Sequence, residues 1–78
     1  MWIMTQNKRR IINTDNVIDI FVARTAPVIY ANTAEDADFV TLGEYDSKEE
    51  CLQILHDMFW HGLGDDKYIM PSRNNPAP

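Results

Sequence analysis

Three groups of side chains in this 78-residue chain have the chemistry to act on something. The first is the basic run Lys8-Arg9-Arg10, which follows the polar pair Gln6-Asn7. Arginine grips phosphate with two parallel N–H donors and lysine adds a point charge, so this run is the candidate anion site. A hairpin turn here would alternate Arg9 and Arg10 between faces, leaving one of them beside Lys8. The competing account is a solvated hairpin tip whose charges guard a sheet edge. The second group is aromatic, Trp60 and Tyr68. Trp60 falls outside the apolar stripe of its segment, on the side of Gln53 and Asp57. From there it would stack a base or anchor a partner, or else pack the segment's end against Leu63. The third group is Cys51, His56, Asp57 and His61. Asp57 and His61 stand four residues apart, the helical spacing of two zinc ligands. His56 lies off that face, and no second cysteine completes a set of four. A surface pair with a histidine at a helix C-terminus explains Asp57 and His61 better, so no metal is expected.

Nucleophilic catalysis needs a nucleophile with an oriented base. Cys51 sits near a helix N-terminus, which would lower its pKa. It also belongs to the apolar stripe, where a small buried side chain is the simpler role. The acids fall at turns and at the helix start, where capping explains them. No catalytic residue and no cofactor are expected.

The elements that would position these groups are short. Trp2-Ile3-Met4-Thr5 reads as a strand, Gln6-Asn7-Lys8 as a turn, and Arg9 to Asn13 as the returning strand of a hairpin. Asn13-Thr14-Asp15-Asn16 is a second turn. Val17 to Ala23 is the strongest strand, with Ile18, Ile20 and Val22 expected on one face and Val17, Asp19, Phe21 and Ala23 on the other. That mixed second face invites cover from a partner subunit. Val28 to Ala31 and Phe39 to Leu42 follow as strands, and Gly43 marks a bulge or bend. Ser47-Lys48-Glu49-Glu50 is a capping box, with Glu50 expected to reach back to the Ser47 amide. Cys51, Leu52, Ile54, Leu55, Met58 and Phe59 keep the spacing of one buried stripe, so a helix runs from about Lys48 to His61, with Gly62 as its cap. Gly64-Asp65-Asp66 turns the chain, Lys67 to Met70 is a last short strand, and 72–78 reads as a disordered tail. The expected fold is α+β: an antiparallel meander of four or five strands with one helix across a face, a single domain over 1–71.

Charge and size bound the rest. The chain holds 7 Lys+Arg against 12 Asp+Glu, a formal net charge of -5. Residues 1–14 carry Lys8, Arg9 and Arg10 and no acid, whereas all the acids lie within 15–66. An acidic chain is repelled by nucleic acid, so general nucleic-acid binding is not expected. The face holding Glu35, Asp36, Asp38, Glu49, Glu50 and Asp57 is either solvated charge or an imitation polyanion. A chain this short supports one core and a stability of only ~4–12 kcal/mol. Cys51 is the single cysteine, so no disulfide within the chain adds to that margin. Self-association is the remaining common device, and a homo-oligomer is expected. Met1 to Met4 is apolar but precedes its charges, the reverse of a secretory signal, and no apolar run approaches ~20 residues. A cytoplasmic, non-membrane protein is expected.

Several segments carry a family likeness. They are Met1-Trp2-Ile3 with Gln6-Asn7-Lys8, the pair Asn16-Val17, the run Leu42-Gly43-Glu44-Tyr45-Asp46-Ser47 with Glu49-Glu50-Cys51-Leu52, and Tyr68-Ile69-Met70-Pro71. Together they resemble the short uncharacterised proteins of phages and prophages of Gram-positive bacteria. The likeness implies no catalytic residues. It implies a setting, an accessory factor in the host cytoplasm acting against host defences. The expected function is therefore binding. The protein would block a host factor or sequester a small host ligand such as a nucleotide, with Lys8, Arg9 and Arg10 on phosphate and Trp60 or Tyr68 stacking. The alternatives are an acidic inhibitor imitating a polyanion and a purely structural self-assembling protein.

Overall fold

A computed structural model describes residues 1–61 and 66–73. The chain order is β1 (Trp2–Met4), β2 (Ile11–Asn13), a 3-10 turn (Thr14–Asn16), β3 (Val17–Val22), β4 (Val28–Thr33), β5 (Val40–Glu44), α1 (Lys48–His61) and β6 (Lys67–Ile69). The fold is α+β with the helix packed on a sheet. The strands form two three-stranded sheets, β2-β1-β6 and β3-β4-β5, rather than one continuous meander. The 3-10 turn separates them. Asn13 accepts from the Asp15 amide at 3.0 Å, and Thr14 donates from both its amide and its hydroxyl to the Met1 carbonyl. β3 thereby leaves the plane of β2 and starts a second sheet.

β6 lies parallel to β1, with Tyr68 opposite Ile3. The intervening helix carries the chain back across the molecule, which is how parallel neighbours are joined. The sheets meet at Gln6. Its amide donates to the Leu42 carbonyl at 2.8 Å, and its side chain both accepts from the Glu44 amide and donates to the Glu44 carbonyl. One glutamine thus extends the β5 ladder across the seam.

Two bulges decide which residues enter the core. In β3 the register shifts between Val17 and Asp19, so Ile18 is the extra residue. Val17 packs against the core with Ile20 and Val22, and Ile18 is turned out, 67% exposed. Plain alternation had Ile18 on the core face; the bulge reverses that assignment, because one inserted residue flips everything beyond it. The second bulge is in β5, where Ile29 faces Gly43 but Tyr30 faces Thr41. It falls at Leu42-Gly43, as the glycine predicts, and both residues are buried. On the far face of this sheet Phe21 meets Tyr30 and Phe39 at centroid distances of 5.8 and 5.0 Å. On the mixed face of β3, Phe21 is therefore flanked by aromatics of its own chain while Asp19 stays exposed.

The helix starts as its sequence dictates, with one change. The Glu50 amide donates to Ser47 Oγ at 3.1 Å, while Glu50 Oε1 accepts from the Asp46 amide, not from that of Ser47. Lys48 Nζ donates to the Arg24 carbonyl and ties the helix start to the β3–β4 turn. Replacing Ser47 with alanine leaves a helix-end amide without its partner and is expected to cost ~1 kcal/mol, read as a lower urea midpoint at unchanged slope. The buried stripe is Cys51, Ile54 and Met58. Leu52 and Phe59, expected in it, are 48% and 60% exposed. They flank the stripe, and α1 lies against β3 and β4, too narrow a floor to reach both flanks.

At the other end of the described chain, Arg73 faces the β5–α1 junction. Arg73 lies 3.3 Å from Asp46 and 3.9 Å from Glu44. The expected Gly62 cap, the packing partner Leu63, the Gly64-Asp65 turn and the tail residues 74–78 lie outside the described residues, as does the side chain of His61. Among the described residues no helix is long and apolar enough to cross a membrane.

Candidate interaction surface

The β1–β2 turn is built by Asn7. Its Oδ1 accepts from the Arg9 amide at 2.9 Å and from the Thr5 hydroxyl at 2.8 Å. The Lys8 amide donates to the Thr5 carbonyl, and Lys8 takes a left-handed backbone, φ 64°. Lys8 and Arg9 stand exposed at this tip. Arg10 does not join them. Its guanidinium reaches Asp36 Oδ2 at 2.9 Å, and the same oxygen accepts from the Thr33 hydroxyl at 2.6 Å. The basic run therefore divides into two exposed cations and one arginine bound within its own chain.

Asp36 is held below its ordinary pKa, first by the Thr33 hydroxyl and then by Arg10. The folded state thus favours the carboxylate, and the unfolded chain binds the proton more readily between the two values. The contribution is present above the ordinary aspartate pKa and is lost as pH falls through the lowered one. Asp36→Asn is expected to give a shallower loss of urea midpoint than wild type on acidification below pH ~4. Equal slopes would remove Asp36 from the account.

The expected stacking residues are not brought together with these cations. Tyr68 projects from the inner face of β6, opposite Ile3, and its hydroxyl donates to Asp57 Oδ2 at 2.8 Å. Burial, then that hydrogen bond, raises the Tyr68 pKa. Its ring is a half-buried link between sheet and helix. Trp60 is 70% exposed. It meets Phe59 edge-on at 5.3 Å on the outer surface of α1. The basic turn adjoins Gln6, whose side chain bonds Glu44 just before the helix start. Trp60 lies at the other end of that helix, so the two cannot hold one small ligand.

Several acids of the presumed polyanion also have internal tasks. Asp36 holds Arg10 and Thr33, Glu50 caps the helix, and Asp57 anchors Tyr68. Cys51 is fully buried, and burial followed by the nearby Glu50 pushes its thiol pKa up, the opposite of an activated nucleophile.

The surface that sequence reasoning missed is the outer face of the β2-β1-β6 sheet. Register places Asn13, Trp2 and Lys67 in one row across it and Ile11, Met4 and Ile69 in the next. The opposite face carries Ile3, Ile12 and Tyr68 into the core. Trp2, Ile11 and Ile69 are consequently 49%, 56% and 54% exposed. They line, with Met4 and Lys67, a shallow depression of about 590 Å³. The signal was available in part: β1 and β2 are apolar at successive positions, and a strand has two faces. Pairing with β6, which adds Ile69 and Lys67, was not. No protein-family model, no curated protein and no solved structure matches the chain.

Proposed function

We propose that this chain is a non-enzymatic binding protein that works as a homo-oligomer, docking through the outer face of the β2-β1-β6 sheet. The observation that carries this reading is the three large apolar side chains, Trp2, Ile11 and Ile69, side by side in solvent on one face. Apolar surface left in water forgoes ~25 cal/mol per Å², and contiguous patches of this kind mark contact sites. The phage accessory setting, in the host cytoplasm, belongs to the same proposal and rests on the resemblance of the Leu42–Leu52 segment. Blocking a host factor is the mode of action this surface favours. Sequestration of a nucleotide has less support, because the cations and aromatics proposed for it lie apart.

The test is native mass spectrometry of gently purified protein beside the double variant Trp2→Ser/Ile69→Ser. Wild type is expected as a discrete multimer and the variant as a folded monomer. A monomeric wild type would overturn the self-association. A retained mass of nucleotide size would instead restore the sequestration reading.

A further inference from the structure

A depression of about 460 Å³ opens between the β1–β2 turn and the chain that leads into β5. Its walls include Asn7 and Arg10 on one side and Asp36, Asp38, Phe39 and Thr41 on the other. It shares no residue with the depression beside Trp2, Ile11 and Ile69. Its polar groups are of two kinds. Arg10 and Asp36 are engaged with each other at 2.9 Å. Asn7 turns its Oδ1 to the Arg9 amide and the Thr5 hydroxyl, which leaves its Nδ2 amine as a donor. Among the described residues this amine and the side chains of Asp38 and Thr41 make no hydrogen bond within the chain, and all three residues stand exposed. A donor, an acceptor and a hydroxyl that is both therefore line one space. The wall beside them is aromatic. Phe39 is 56% exposed, and its ring is braced by Phe21 at 5.0 Å and Tyr30 at 5.9 Å.

We propose that this depression is a carbohydrate site, in which Phe39 stacks on a neutral pyranose ring and Asn7, Asp38 and Thr41 bond its hydroxyls. A pyranose has C–H groups on its face and hydroxyls around its rim. The weakly positive C–H groups suit the negative face of an aromatic ring. Each hydroxyl both donates and accepts, so it can answer the Asn7 amine, the Asp38 carboxylate and the Thr41 hydroxyl alike. A hydroxyl donating to a carboxylate makes a charge-assisted bond, stronger than a neutral one. Charge selects no ion here. Lys8 and Arg9 flank the depression beyond Asn7, Glu35 and Asp38 flank it on the loop, and Arg10 cancels Asp36. A wholly apolar ligand would strip water from Asn7 and Asp38 and leave them unpaired. The volume is that of a small-ligand pocket, ~300–1,000 Å³. The site stands apart from the self-association proposed above, and neither rests on the other.

The experiment titrates cellotriose, maltotriose and tri-N-acetylchitotriose into the isotope-labelled full-length protein and follows its amide NMR spectrum. At least one sugar is expected to shift the amides of Asn7, Asp38, Phe39 and Thr41 saturably. Phe39→Ala is expected to weaken that binding about tenfold, and Asp38→Asn about tenfold. The same spectra show whether each variant is folded, and the exposed Asp38→Asn keeps the test if Phe39→Ala is not. Glu49→Gln, on the helix, should change nothing. Trp2→Ser/Ile69→Ser should bind as wild type does, whichever oligomer wild type forms. Three sugars without effect, shifts confined to other residues, or an affinity untouched by both site variants overturns the proposal and leaves the rings as cross-strand packing. Adenosine monophosphate shifting these amides where no sugar does gives the site to a nucleotide and overturns it too.

Discussion

Gly43→Ala is expected to lower the melting temperature by at least ~10 °C. The residue needs no unusual backbone; what it supplies is space. A Cβ built on Gly43 would lie 2.7 Å from Tyr45 Oη and 2.8 Å from Tyr45 Cε2. The bulge at Leu42-Gly43 brings the glycine into the core opposite Ile29, and the Tyr45 ring folds back over it. Tyr45 is 1% exposed, and its hydroxyl donates to the Pro71 carbonyl at 2.9 Å. Burial holds its pKa up at about 12. The ring has nowhere to go without breaking that bond. Overpacking costs ~1–3 kcal/mol, and a lost buried hydrogen bond adds ~1 kcal/mol. Each kcal/mol is worth roughly 4–8 °C in a domain of this size. Thermal unfolding by circular dichroism measures it. In a Tyr45→Leu background the same alanine should cost much less, because the obstructed ring is gone. An unchanged melting temperature in the Tyr45 chain would mean that the ring moves freely.

Ile29→Ala should be of similar size and for the opposite reason, since it leaves a hole. Ile29 is 0% exposed on β4, the middle strand of its sheet, flanked by Val22 on β3 and Gly43 on β5. Removing its outer carbons costs ~2–5 kcal/mol in transfer energy and cavity, a large part of the ~4–12 kcal/mol the domain has. The informative comparison is Ile18→Ala. On a strand of plain alternation it would cost nearly as much as any core isoleucine. With the bulge it should cost less than ~0.5 kcal/mol, the ordinary value for a surface change. Urea titration of the two variants separates these outcomes. A large loss at Ile18 would place it in the core and contradict the bulge.

These two experiments mark where local reading stopped. The bounds of helix α1 were legible, because its Ser47 cap, acidic first turn and 3.6-residue stripe all act within a few positions, though Leu52 and Phe59 fell outside the buried part of that stripe. So were the turns at Asn7 and Asn13, whose side chains bond their own backbone, and the bulge at Gly43. The bulge at Ile18 was not legible. It exists to fit β3 against β4, and nothing local to Val17-Ile18-Asp19 announces it. The candidate site fared worse. Lys8, Arg9 and Trp60 are exposed as expected, but Arg10 meets Asp36 across 26 residues of chain and Tyr68 meets Asp57 across 11. Both pairings engage a proposed ligand-binding group within the chain, and neither leaves a trace in spacing or composition.

By itself the sequence determined the α+β class, the helix, the turns and the acid-free basic run of residues 1–14. Those follow from hydrogen bonds and side-chain periodicity a few residues long. Tertiary structure alone decided that the strands divide into two sheets, that β6 lies parallel to β1, and that Trp2, Ile11 and Ile69 share one exposed face. Strand pairing joins residues whose partners are named by distant backbone, and every amide can satisfy every carbonyl equally well. The choice among pairings is made by what the whole chain can bury, and an exposed face is what that choice leaves over.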